Sequence, residues 1–163
     1  MSESDRIERL VGQWAAERPD LDLDTMDLVA RLTRVGQLIN ARIEEFAASY
    51  GLHRGEGDVL FTLRRAGPPF RLTPTRLAAA LLITSGTMTN RLDRLEQRGL
   101  IKRIPSPNDR RSLDVELSPE GKRLVDEAIG AHVANERDML SVLSQRDRAD
   151  LARITRKLID HLE

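Results

Sequence analysis

Apolar positions along this chain recur mostly at intervals of three and four, which predicts a helical protein, with one alternating stretch that predicts strands. Ile7, Leu10, Val11 and Trp14 form the first stripe, on a helix over about 4–17 with Ser4 as its cap. Pro19 and the acids Asp20, Asp22 and Asp24 end it, and Asp24 can cap a longer helix to Tyr50. Along that helix Leu28, Leu32, Val35, Ile39, Ile43 and Phe46 keep the helical period until Gly51 stops it. A third helix over 54–66 carries Val59, Leu60 and Leu63 and is closed by Gly67, Pro68 and Pro69.

The middle of the chain is more sharply punctuated. Thr73 followed by Pro74 is a cap and first-turn pair that opens a short helix through Leu82. Thr84-Ser85-Gly86-Thr87 interrupts the apolar run and starts another helix, Ser85 to Arg98, stopped by Gly99. Two helices of this length joined by a few residues predict a helix-turn-helix. Residues 100–104 then read as a strand, and Leu113, Val115 and Leu117 alternate with Asp114 and Glu116 in a second, so residues 105–111 form the tip of a hairpin. Ser118-Pro119-Glu120 opens a further helix through Leu124, Val125, Ala128, Ile129 and Val133, and a last one over 144–162 carries Leu151, Ile154, Leu158 and Ile159. The fold class expected is mainly α with a small β-hairpin, built as one folding unit over 1–163.

Charge changes this picture. The 163 residues carry 26 bases and 26 acids. Residues 54–111 nevertheless hold twelve Lys or Arg against five acids, a net +7, while 1–53 and 112–163 carry −4 and −3. A polyanion feels the field within about 8–10 Å, so a basic centre can bind phosphates although the chain is neutral.

The remaining composition narrows the chemistry. With no cysteine there is no disulfide, thiolate metal site or thiol sensor, and His53, His132 and His161 lack metal-ligand spacing, so no metal or cofactor is expected. No nucleophile, phosphate loop or base-orienter pair points to an enzyme. No apolar run approaches the roughly 18–20 residues of a bilayer span, and a cytoplasmic location without membrane contact is expected.

Residues 85–96 (Ser85-Gly86-Thr87-Met88-Thr89-Asn90-Arg91-Leu92-Asp93-Arg94-Leu95-Glu96), then Arg98-Gly99-Leu100-Ile101, Asn108-Asp109-Arg110-Arg111-Ser112 and Leu117-Ser118-Pro119-Glu120-Gly121 together resemble the MarR family of transcription regulators. The likeness runs along essentially the whole chain. It implies a winged helix-turn-helix lobe over 53–117 and a homodimer formed by long helices at 1–50 and 118–163. A palindromic double-stranded DNA operator and a small-molecule effector that releases it are implied too. A larger monomeric core, or a winged helix that binds protein, remains the alternative reading of the same stripes.

At 100° per residue, Met88, Leu92 and Leu95 point one way, while Gly86, Asn90, Asp93 and Gln97 point roughly opposite, with Thr87, Thr89 and Arg94 on the flanks. Small and amide side chains at a helix N-terminus suit the major groove, where Asn pairs with adenine and Thr meets a thymine methyl. Ser85 and Thr75 suit phosphates through hydroxyls and helix N-terminal amides. The resemblance implies that Arg111, oriented by Asp109 and accompanied by Arg110, enters the adjacent minor groove.

The extra N-terminal helix bearing Trp14 resembles the urate-responsive branch of that family, of the PecS and HucR type. The resemblance implies that Trp14, Asp58, Arg91 and Arg103 surround an anionic effector such as urate or a related purine. A different effector, phenolic or carboxylate, stays open. Arg91 lies only about 60° from the Met88, Leu92 and Leu95 direction, so it leans toward the body of the lobe and needs a partner. Arg103 shares strand parity with Ile101, and Asp58 is the expected neutralising partner of one of the two.

Overall fold

The computed structural model describes residues 3–106 and 113–163, with side chains from Arg6 onward. Ser4 as a capping side chain, and Asp109, Arg110 and Arg111 at the wing tip, lie outside the described residues. The chain divides into two compact units, 1–45 and 46–163.

In the first unit, α1 (Glu3–Glu17) and the larger part of α2 (Leu23–Ser49) follow the predicted stripes. The helix α2 starts one residue before Asp24, so Asp24 lies in its first turn, where a carboxylate complements the helix dipole, and is not its cap. Arg31 joins the two helices through Glu8 (3.4 Å) while pairing with Asp27 on its own helix (2.6 Å).

The second unit contains the last turn of α2, then α3 (Arg54–Arg65), β1 (Arg71–Leu72), α4 (Pro74–Ala80), α5 (Ser85–Gln97), β2 (Ile101–Pro105), β3 (Leu113–Leu117), α6 (Pro119–Met139) and α7 (Gln145–Leu162). Its core is Val59, Leu60 and Leu63 of α3, Leu77 of α4, Met88, Leu92 and Leu95 of α5, and Ile101 and Val115 of the sheet, each at most 2% exposed. Full burial of such side chains contributes roughly 1.5–3 kcal/mol apiece, so the helix-turn-helix and the sheet stabilise one another.

Among the described residues the sheet has three antiparallel strands in the order β1-β3-β2, with Arg103 opposite Val115 and Arg71 opposite Glu116. The strand β1 is not predicted by the sequence. Two residues offer no alternation to read, and their pairing is with a segment 45 residues away, secured by Arg71 Nε donating to Glu116 (2.9 Å).

The run Leu117-Ser118-Pro119-Glu120-Gly121 also has a physical cause. Ser118 donates its hydroxyl to the Gly99 carbonyl (2.7 Å), accepts the Gly121 N–H (2.9 Å), and donates its own N–H to the Leu100 carbonyl (3.1 Å). This brings the start of α6 so close to the strand that a Cβ on Gly121 would collide with the Leu100 carbonyl oxygen. Among the described residues no helix is long and apolar enough to cross a membrane, and no cluster of His, Asp and Glu is arranged to hold a metal ion.

Candidate nucleic-acid interface

The helix-turn-helix is α4, a four-residue turn, and α5. Thr73 caps α4 as predicted, accepting the Arg76 N–H (3.1 Å) with Pro74 in the first turn, and this leaves Thr75 exposed at the helix entrance. The cap of α5 is Thr84, which accepts the Thr87 N–H (3.3 Å) and shares a hydroxyl contact with Thr87 (3.0 Å). Ser85 is therefore the first helical residue, with an exposed side chain.

The two faces of α5 separate as the periodicity predicts. Met88, Leu92 and Leu95 are buried, while Ser85, Gly86, Thr87, Thr89, Asn90 and Arg94 are exposed. Thr89 turns its hydroxyl onto the Ser85 carbonyl (3.0 Å), which leaves its methyl as the group without a hydrogen-bonding role. No Cβ stands over Gly86, so a neighbouring surface can approach the backbone there. The side chains of Asn90 and Arg94 make no hydrogen bond or ion pair with other described residues, so their side-chain polar groups are available to a ligand.

The wing is fixed to this helix at its base. Arg103 on β2 reaches Asp93 (2.6 Å) and Glu96 (3.5 Å), and its backbone N–H donates to Glu96 (3.1 Å). Both carboxylates belong to α5, so β2 and α5 are joined by three polar contacts. Arg103 does turn toward the body, as its strand parity predicts.

Its partner differs from the expected one. Asp58 pairs with neither arginine: Arg103 is held by Asp93 and Glu96, and Arg91 donates to the Gly55 carbonyl (3.2 Å). The cause is geometric. Asp58 lies on α3 at a cleft of about 500 Å³ shared with Phe61, Arg65, Ile129 and His132, whereas Asp93 and Glu96 face β2 directly. The Asp58 carboxylate makes no hydrogen bond or ion pair with other described residues. In the same cleft, Asp126 is held below the usual carboxylate range by hydrogen bonds from Lys122 and Arg64. The His132 ring stacks on Phe61 at 5.2 Å. Trp14 belongs to α1 in the first unit, with 45% of its surface exposed.

Sequence reasoning missed two groups. Thr84 was readable, because a threonine three residues before another polar residue at a helix start is a capping signal. The pairing of Asp93 and Glu96 with Arg103 had no local signal, since it forms only once β2 folds back along α5.

A MarR family model matches residues 50–112. The HTH-type transcriptional regulator PecS of Dickeya dadantii (strain 3937) is 40% identical over 156 residues, which cover 96% of this chain and 94% of that protein. The HTH-type transcriptional repressor YetL of Bacillus subtilis (strain 168) is 26% identical over 152 residues, 93% of this chain and 90% of YetL. Among solved structures, Sco3205, a MarR family transcriptional regulator from Streptomyces coelicolor in complex with DNA, superposes with a TM-score of 0.79 at 22% identity, covering 88% of this chain and 90% of that one. A MarR mutant from E. coli complexed with operator DNA gives 0.74 at 24% identity, covering 85% and 98%. These two structures share the fold of a mostly helical chain with a small winged sheet, and PecS extends the likeness along nearly the full sequence. The chain belongs to the MarR family of transcription regulators.

Proposed function

We propose that this regulator binds a palindromic operator as a homodimer, seating the N-terminal half of α5 in the major groove and the wing in the adjacent minor groove. The observation that carries the reading is the exposed face of α5, Gly86 and Asn90 opposite the buried Met88, Leu92 and Leu95 with Thr87 and Thr89 on its flanks. Thr75 and Ser85 take phosphates, Arg94 adds attraction from the flank, and Arg110 and Arg111, oriented by Asp109, enter the minor groove. The dimer forms through 1–50 and 118–163, and the chain acts as one MarR-like domain in the cytoplasm. Two-fold symmetry then favours inverted half-sites about 10 base pairs apart.

For the effector we propose a small planar anion, urate or a related purine, acting through Trp14, Asp58, Arg91 and Arg103 to release a repressed operator. Because Arg103 is held by Asp93 and Glu96, the anion would compete with these two carboxylates and so loosen the wing from α5. A second reading, a phenolic or carboxylate effector, is favoured by the cleft that Asp58 shares with Phe61 and His132.

Selection of bound duplexes from random DNA, repeated with millimolar urate, tests both parts. The expected result is an inverted repeat whose recovery falls with urate. Failure to enrich any sequence would overturn the DNA reading, and enrichment indifferent to urate would discard that effector alone.

A further inference from the structure

Arg91 on α5 and Arg98, the residue that caps its C-terminus, lie seven residues apart, two turns along one face and about 10.5 Å along the axis. Both reach the same short connection, residues 50–56, which joins the end of α2 to the first turn of α3. Arg91 donates to the Gly55 carbonyl (3.2 Å). Arg98 donates to the Gly51 carbonyl (2.9 Å) and meets the Glu56 carboxylate at 3.4 Å. Glu56 is 3% exposed and also accepts the His53 N–H (3.0 Å), so a buried carboxylate fixes the Arg98 end.

The two glycines differ in an informative way. Gly51 ends α2 at φ 67°, where any other residue is strained. Gly55 has no such need, because it sits in the helical first turn of α3. A Cβ at Gly55 would instead fall 2.5 Å from Nε and 2.7 Å from Nη2 of Arg91. The Arg91 guanidinium therefore lies on bare backbone, and a side chain at position 55 would displace it from this seat.

We infer that Arg91 and Arg98 form a two-point clamp that sets the pose of α5 for DNA reading, acting as positioning residues without touching DNA. This rests on the DNA-binding reading above. The buried Met88, Leu92 and Leu95 and the ties to Arg103 already seat the helix, and two further anchors separated by two turns restrain its remaining tilt and rotation. Base-edge recognition needs groups held within about 0.5 Å and 10–20° of the productive geometry, so a loosened clamp degrades contacts made by Thr87, one turn before Arg91, and by Asn90, about 100° around the helix from it. Charge-assisted bonds to main-chain carbonyls suit this role, since the acceptors sit on rigid helix ends.

The test is a double-mutant cycle of Gly55→Ala and Arg91→Ala, with Arg98→Ala alongside, read as affinity for a duplex selected by the wild-type protein across a salt titration. Gly55→Ala is expected to weaken binding about tenfold, the scale of one lost charge-assisted hydrogen bond. Alanine's better fit to a helical position offsets the loss of the Arg91 bond in the folded state, so the thermal midpoint of Gly55→Ala is expected to stay near the wild-type value. Adding Gly55→Ala to Arg91→Ala is expected to cost nothing more, because both remove one seat. The slope of log affinity against log salt is expected to stay at the wild-type value for all variants. A slope shallower by about one would make Arg91 or Arg98 a phosphate contact and overturn the clamp. Wild-type affinity in Gly55→Ala and Arg98→Ala, or additive losses in the double variant, would overturn it as well. If the wild-type protein itself selects no duplex, it is the DNA-binding reading that fails.

Discussion

The helix-turn-helix lobe and the long helices at the two ends of the chain carry the same helical periodicity with opposite outcomes. In the lobe, Leu63, Leu77 and Leu95 are wholly buried against one another's elements. In the end helices, Leu28, Val35, Ile154 and Ile159 keep equally regular spacing, yet 45–59% of each remains exposed. A periodic stripe reports that a face is built for burial, and only packing reveals whether the chain covers that face itself. The lobe is satisfied within one chain. Scattered exposed leucines are ordinary on protein surfaces, but stripes repeated along helices of 27 and 18 residues fit the dimerisation proposed for them.

Paired truncations sharpen that contrast most strongly. Leu63→Ala is expected to cost about 2–5 kcal/mol, as a cavity in a packed core does, and to lower the thermal midpoint equally at every protein concentration. Val35→Ala and Ile159→Ala are expected to act through association, so their midpoints converge on the wild-type value as protein concentration rises. Sedimentation equilibrium reads the second effect directly. A concentration-independent loss in Val35→Ala would mean that its face is buried within one chain, and the contrast would disappear.

A smaller effect probes the lobe alone. Thr84→Ala removes the acceptor for the Thr87 N–H at the entrance of α5. It is expected to cost about 1 kcal/mol in chemical denaturation, whereas Ser85→Ala, one residue later, should be nearly neutral in stability. Equal losses for the two would contradict Thr84 as the cap.

Much of the lobe was legible because its signals are local. Thr73 with Pro74, Gly99 after α5, and Ser118 with Pro119 each set an element boundary through the backbone of adjacent residues, and the structure keeps those boundaries within about two residues. The inward lean of Arg91 and Arg103 was also readable, from helical angle and strand parity. Their partners were not. Arg91 ends on the carbonyl of Gly55, 36 residues away, and Arg103 on Asp93, across a chain reversal. Charge complementarity made Asp58 the natural choice from sequence, but proximity in the fold gave both arginines other acceptors. Two-residue β1 had no local signal for the same reason, since it pairs with distant β3.

The account rests on the exposed face of α5, and Asn90 is its most specific residue. Fluorescence anisotropy of a duplex selected by the wild-type protein, set against the same duplex with each half-site base changed in turn, tests it directly. Asn90→Ala is expected to lose about 1–3 kcal/mol of discrimination at one base pair of each half-site while keeping the wild-type salt dependence. An Asn90→Ala protein that still distinguishes every base as the wild type does would contradict the placement of this helix in the groove.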